Sequence, residues 1–595
     1  MGRKIVSKKS IENTVEKTIY SKIIGCFLLG FFFAFPWIIC AVSRKINAEE
    51  ESVYIHKIEE IIDTCLFGKM YVLLGFAIVM LILIGFHIYA NRKRLFRKNM
   101  ADSTISVKDV IYAGTAIFIV LAVLSAALSE YKMVSLWGSY NNPEGLFVIL
   151  AYIVLAAAAY ISFQNEQIWD RFKYVIMALA LVAIVLSLVE FFYKPITQIM
   201  YPEGWRTDYK NMVSLTFYNS GYYGGFVILI FPVVMELLLN SKKVYEIILL
   251  SFEFVGMLLC VLLSKSTGAF LVVIFEILAM GIYELWISIK YKKCIFKWMI
   301  KLICTVGMLL ILGGIDLISG GKITNQLHDT ASNETEAIHS DNYVTITDIE
   351  VSGNVINIVS KSKDNIEKTL MVELNDTQIA FYDKETSQIV EMTQEDGLIY
   401  FHGDYEGICA RMENNALTFD YGYKGDVRFY IHENAFYPML SDGSIVGDIT
   451  GSGLKGGDFI HTATGRGYIW MNTLPLLKRS VIIGQGPATF GLCFKQFDFV
   501  GLLNSQGTVD LFIDKPHNMY LQTVEQTGVI SAVIMVILLA LLLWNGKSFA
   551  GLVISVSGFM ILGIVNDSCI TVNPLFWIMA GIIFARISVK ELKSE

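Results

Sequence analysis

Apolar runs of about twenty residues recur along this chain, and no other feature constrains its fold as much. A helix needs about 20 mostly apolar residues to cross a bilayer. Such runs lie near 21–42, 70–90, 107–128, 145–163, 174–193, 220–240, 245–263, 269–289, 298–318, 525–544, 549–565 and 574–590. They predict an all-α polytopic integral membrane protein of about 12 transmembrane helices. Composition agrees: 54% of the 595 residues are hydrophobic and 17% charged, against about 25% charged in an ordinary soluble domain. That excludes a string of soluble domains. The net charge of −6 carries no basic footprint for nucleic acid. The nine cysteines have no CxxC pair and no zinc-like Cys/His spacing, so they read as small apolar residues. The first apolar run lacks a small-residue cleavage site and reads as a span rather than a signal peptide.

The spans divide the chain into a membrane region of about nine helices (1–318), a polar loop (319–454), a second loop (455–524) and a C-terminal membrane region of about three helices (525–595). With the N-terminus inside, inner segments carry 24 Lys and Arg and the short outer loops carry 9. The expected topology therefore has both termini in the cytoplasm and the large loop extracytoplasmic, in a cytoplasmic membrane.

Between 341 and 440 the period changes from helical to two. Tyr343–Val351 alternates, Ser352-Gly353-Asn354 turns, and Val355–Val359 continues. Leu370–Leu374, Gln378–Tyr382, Leu398–Phe401, Leu417–Tyr421 and Val427–Ile431 follow, with Gly, Asn and Asp between. This predicts an inserted antiparallel β domain. It reads either as a lid or spacer, or as a guide for a glycan or acceptor.

The second loop is rich in Gly, Arg, Trp and Pro and leads straight back into the membrane. It contains Gly465-Arg466-Gly467-Tyr468-Ile469-Trp470, then Ile483-Gly484-Gln485-Gly486-Pro487 with Phe490, then Lys515-Pro516-His517-Asn518 and on to Glu525 and Gly528. Polar residues this dense at a membrane surface are expensive without a task. Gly484-x-Gly486 alone also fits an ordinary turn.

These three pieces resemble, in order, segments of the O-antigen ligase and O-antigen polymerase family of bacterial membrane proteins. Gly465-Arg466 with Trp470 resembles its GR…W helix start. Gly484-Gln485-Gly486 with Phe490 resembles its GxGxxxF turn. His517-Asn518, nine residues, then Gly528 resembles its His-Asn-x9-Gly signature. Trp137–Leu146 and Leu215–Tyr222, including Asn219, resemble weaker segments. Ser531 stands where the signature has a second glycine, and the inserted β domain is not a standard part of the family.

The resemblance implies a glycosyltransferase of the ligase or polymerase type in surface-polysaccharide, capsule or wall synthesis. Its donor would be a glycan on undecaprenyl diphosphate, its acceptor a glycan or other hydroxyl compound, and its solvent the lipid bilayer. No cofactor and no metal is expected, because arginines would hold the leaving diphosphate through bidentate charge-assisted bonds. The implied catalytic residues are His517, as base or hydroxyl-orienting group, and Arg466. Arg206, Arg479, Asn518, Glu525, Gly484, Gly486, Trp470 and Asn219 are the implied substrate-binding set. Arg479 also suits an interfacial lipid anchor. If 517–525 is helical, Glu525 lies about two turns from His517 on the same face.

Two other classes fit parts of the pattern. A transporter, or a flippase of the lipid-linked glycan, would account for the spans and use Glu253 and Glu276 as proton-relay groups. A metal-dependent transferase would use the first-loop carboxylates Glu49-Glu50-Glu51 and Glu59-Glu60…Asp63, which also read as a solvated acidic face.

Overall fold

The computed structural model describes residues 19–46, 48–51, 60–98, 106–200, 212–291, single positions between 305 and 324, and then 345–361, 366–375, 378–421, 425–447, 449, 459–460 and 462–594. The expected span at 298–318 lies mostly outside these.

The other expected spans fall on helices. These are α1 (Ile19–Ala34), α2 (Phe67–Lys98), α3 (Val107–Leu128), α5 (Leu146–Ser162), α6 (Glu166–Phe192), α7 (Ser220–Asn240), α8 (Val244–Leu263) and α9 (Thr267–Tyr291), with short α4 (Lys132–Trp137) before α5. After the insertion come α10 (Thr462–Leu477), α11 (Phe499–Gln506), α12 (Met519–Thr527), α13 (Val529–Asn545), α14 (Ala550–Leu562) and α15 (Asn573–Ser594). The described part is mostly helical. Seven of its helices are long and apolar enough to cross a membrane, and α5, α13 and α14 are shorter apolar helices.

The helix faces explain the packing. α7 is apolar all round and almost wholly buried, so it sits at the centre against α6, α8, α9 and α14. α15 packs along α5, where Gly581 lies against the backbone of Ala156. α2 and α9 instead expose Ile78, Leu81, Ile82, Leu278, Ile282 and Leu285. A water-facing surface rarely carries such continuous apolar patches; a bilayer suits them.

The separate β region holds two antiparallel meanders. One is β3 (Thr345–Ser352), β4 (Val355–Lys361), β5 (Glu367–Asn375) and β6 (Gln378–Asp383), paired in that order. The other is β7 (Met392–Glu395), β8 (Leu398–Phe401), β9 (Cys409–Glu413), β10 (Ala416–Asp420), β11 (Asp426–His432) and β12 (Ala435–Met439). A small hairpin, β1 (Val42–Lys45) and β2 (Glu60–Asp63), precedes α2. The two meanders share one core, with Ile356, Leu370 and Phe381 from the first and Phe419 and Phe429 from the second. Phe499, Leu503 and Val509 of the second loop belong to that same core. Asn504 Nδ2 donates to Ile346 O at 2.7 Å. The β region is thus welded to the loop that carries the family-like residues.

The structure redraws one expected boundary. The apolar run at 525–544 is two helices, because Gly528 breaks the chain with φ +97°. A Cβ there would lie 2.4 Å from Ile482 O, so only glycine admits this approach.

Candidate functional site

α12 sets the geometry. Asn518 is its N-cap, with Oδ1 accepting from the N–H of Tyr520 and of Leu521, each at 2.9 Å. Its Nδ2 donates to Ile564 O at 2.8 Å. His517 precedes the cap with φ +50°, a left-handed conformation unusual for a non-glycine residue. Such a conformation costs about 1–3 kcal/mol and persists only where the surroundings impose it. Trp470 of α10 imposes part of it, donating from Nε1 to Pro516 O at 3.0 Å.

His517 Nδ1 lies 2.7 Å from Asp567 Oδ2, in the turn between α14 and α15. A carboxylate accepts, so Nδ1 carries the proton and Nε2 of the neutral ring keeps a lone pair. The Asp567 side chain is fully buried, whereas His517 keeps 35% of its surface, which leaves the ring reachable. Burial pulls the His517 pKa down, but the charge and hydrogen bond of Asp567 outweigh it, and the net shift is upward. Burial opposes the charge of Asp567, yet His517, Lys515 and Arg466 hold its carboxyl below the usual range.

Two cations complete the cluster. Lys515 is buried, donates from Nζ to Ser568 O at 3.2 Å and lies 5.5 Å above the Tyr222 ring. Burial lowers its pKa, but the surrounding Cys569, Glu144, Asp514 and Asp567 raise it on balance. Arg466 is half-buried near the start of α10, and burial lowers its pKa against the opposing charge of Asp567. Its guanidinium makes no hydrogen bond or ion pair among the described residues. Glu144 is buried, accepting from the Tyr152 hydroxyl and, at 3.1 Å, from Asn573 Nδ2. A reachable imidazole on a buried carboxylate, beside an unengaged guanidinium, can take a proton from a hydroxyl and receive an anion.

The remaining sequence-derived residues divide. Asn219 caps α7, accepting from Tyr222 N at 2.8 Å, and Gly221 beside it takes a hydrogen bond from Asn566 Nδ2 at 3.4 Å. That places Asn219 beside the turn that carries Asp567. Gly484 and Gly486 lie against the C-terminal end of α12. The N–H of Gly486 donates to Gln526 O at 3.2 Å, and a Cβ on Gly484 would lie 2.2 Å from the Gln526 backbone. Gly484 faces protein backbone, and Gly486 faces the side chains of Ser129 and Ser135. Because the helix begins at Met519, the expected shared face of His517 and Glu525 does not form. Glu525 instead accepts from Thr489 Oγ1 at 3.3 Å. Arg479 is exposed beyond the far end of α10, three helical turns and more from Arg466. Arg206 lies outside the described residues.

Sequence reasoning passed over Asp567 and Asp514, and quoted Lys515 and Glu144 only within motifs. One signal was available for Asp567: Asn566-Asp567-Ser568 is a polar triplet between two apolar runs. Three of the first-loop carboxylates have structural employment, and Glu59 lies outside the described residues. Glu49 accepts from Met133 N and Val134 N at the start of α4, and Glu50 pairs with Arg44 at 2.9 Å and accepts from Tyr140 N at 2.7 Å. Asp63 accepts from Leu66 N and Phe67 N at the start of α2. Among the described residues no group of three or more His, Cys, Asp or Glu side chains could hold a metal ion.

Compared with protein-family models, with curated proteins and with solved structures, the chain matches none.

Proposed function

We propose that the protein transfers a lipid-diphosphate-linked glycan to a hydroxyl acceptor at the outer face of a cytoplasmic membrane. The observation that carries this reading is the His517–Asp567 pair beside the unengaged Arg466 guanidinium. The acceptor oxygen bonds to the anomeric carbon of the donor sugar, and the bond from that carbon to the diphosphate oxygen breaks. The acceptor proton passes to His517 Nε2, and the bonding pair leaves on the diphosphate, whose charge Arg466 receives with help from Lys515. Asp567 keeps the ring in the tautomer that frees Nε2. The motif resemblance around Gly465–Gly528 supports the same chemistry.

The reading includes about twelve spans, both termini cytoplasmic and the β region outside. Gln394 is exposed on β7. A Gln394→Cys protein should react with a membrane-impermeant maleimide on intact cells; reaction only after lysis would reverse the orientation. The chemistry is tested by transfer from purified lipid-linked glycan in detergent, where His517→Ala should lose the reaction.

One observation favours a second reading, proton-coupled transport. Glu276 is buried in α9 facing Gly558 of α14, and among the described residues both its carboxyl oxygens and Glu253 Oε2 of α8 are unpartnered. An intramembrane carboxyl of this kind is a common proton carrier. Uptake driven by a pH gradient in proteoliposomes, lost in Glu276→Gln, would favour it over transfer.

A further inference from the structure

A cavity of about 360 Å³ lies between α3, α5, α13 and α15. Most of its wall is apolar. Tyr112, Ala116 and Ala157 line it and are exposed, so it reaches the bundle surface. One end is different. There α12 turns Met519, Gln522, Thr523 and Gln526 inward, the spacing of one helix face. Glu144, Ser568 and Asn573 line the cavity with them.

Four buried atoms in this lining have no hydrogen-bond partner among the described residues: Gln522 Nε2, Gln526 Nε2, Glu144 Oε2 and Asn573 Oδ1. Buried polar atoms are rarely left so, and four in one lining point to a ligand. Two are donors and two are acceptors. A hydroxyl both donates and accepts, so it suits the mixture. An anionic head does not, because Glu144 contributes a carboxyl and no Lys or Arg among the described residues lines the cavity. The apolar walls suit a hydrocarbon chain.

We propose that this cavity binds an uncharged amphiphile, its hydroxyl-bearing head at Glu144, Gln522, Gln526 and Asn573 and its hydrocarbon tail between α3, α5, α13 and α15. The head then lies close to the catalytic pair. Gln522 Oε1 accepts from the N–H of Ser568 at 2.8 Å, and Ser568 follows Asp567. If the chain is a glycan transferase, this amphiphile is the acceptor, a membrane lipid with a free hydroxyl on a neutral head. That role rests on the proposed function; the binding does not.

The test uses the full chain in phosphatidylcholine nanodiscs and a dodecyl glucoside with a photoreactive diazirine in its chain. Labelling should map to the peptides containing Ala116 and Ala157, and excess dodecyl glucoside should suppress it. Ala157→Trp, or Thr115→Trp where the first does not fold, should cut labelling about tenfold by filling the cavity. Gln526→Leu should weaken the competition by glucoside about fivefold, the loss of one ordinary hydrogen bond. Equal labelling by a headless alkyl diazirine would reduce the cavity to a lipid-filled gap and overturn the proposal. So would competition by a polyprenyl phosphate at concentrations as low as the glucoside's, which would assign the space to an anionic lipid. Transfer measured in the same preparation separates the two claims. Specific labelling with no transfer to any hydroxyl acceptor removes the transferase reading and leaves the site; transfer with no specific labelling does the reverse.

Discussion

The β region and the cluster around His517 treat charge in opposite ways. In the β region three basic side chains face carboxylates. Lys368 lies 3.2 Å from Glu385 and 3.5 Å from Asp404, Arg428 lies 2.7 Å from Asp426 and 3.6 Å from Asp510, and Arg411 lies 3.6 Å from Asp426. Around His517, Arg466 has no such partner among the described residues, and buried atoms of Glu144, Gln522, Gln526 and Asn573 are left open. The first region pairs these cations within the fold, although buried atoms such as Arg411 Nε and Tyr421 Oη also lack a hydrogen-bond partner among its described residues. The second keeps a guanidinium and several polar atoms in reserve, which a fold tolerates where something else is meant to bind.

The contrast breaks most readily at His517. Removing a general base costs about 10²–10⁴-fold in rate, so His517→Ala should lose that much transfer with donor binding little changed. A rate within a factor of two of the parent would place His517 among the structural residues. Arg466→Lys should cost about 10²–10³-fold, the loss of a preorganised donor to developing charge, since an ammonium lacks the bidentate fork. Steady-state rates at saturating donor give the value, and an unchanged rate would mean that Arg466 does not hold the leaving group.

The next effect concerns stability. Leu503 is buried in the core that α11 shares with the β sheets, so Leu503→Ala should destabilise this part by about 2–5 kcal/mol. Amide exchange should show β3 and α11 opening together; independent opening would mean that the β region is only tethered to the site loop. The pH profile sharpens the comparison further. Asp567 raises the pKa of His517 above 6.5, and the base works in its neutral form. Transfer should therefore fall as pH drops through a value above 6.5, about tenfold per unit below it. Asp567→Asn removes the cause of the rise, so the acid limb should move to lower pH. An unmoved limb would assign the titration to another group. The smallest effect belongs to the β region, where Arg411→Met should change stability by less than about 1 kcal/mol, as exposed ion pairs do, and leave transfer untouched.

The long apolar helices and most strands were legible because periodicity encodes them directly, whereas the short α4, α11 and α12 carry no such run. Runs of apolar residues marked α2 or α8, and alternation marked β3, β4 and β11. The boundary at Gly528 was hidden because apolar residues continue on both sides of it, and only the close approach of Ile482 explains the break. β7, with every residue exposed, has no apolar alternation to read. His517, Arg466 and Trp470 were marked by motif spacing. Asp567 was not, because its partner lies fifty residues away, and the polar triplet Asn566-Asp567-Ser568 between two spans says nothing of that partner. The shared face assumed for His517 and Glu525 failed for a local reason: Asn518 caps the helix, which leaves His517 outside it.

Release of lipid diphosphate by the purified full chain in detergent is the most direct test of the central claim. It should be measured with and without a hydroxyl acceptor, in the presence of EDTA. The account predicts one lipid diphosphate released for each glycosidic bond formed, at a rate unchanged by the chelator and lost in His517→Ala. No release with any hydroxyl acceptor, or release that EDTA abolishes and added metal restores, would contradict it.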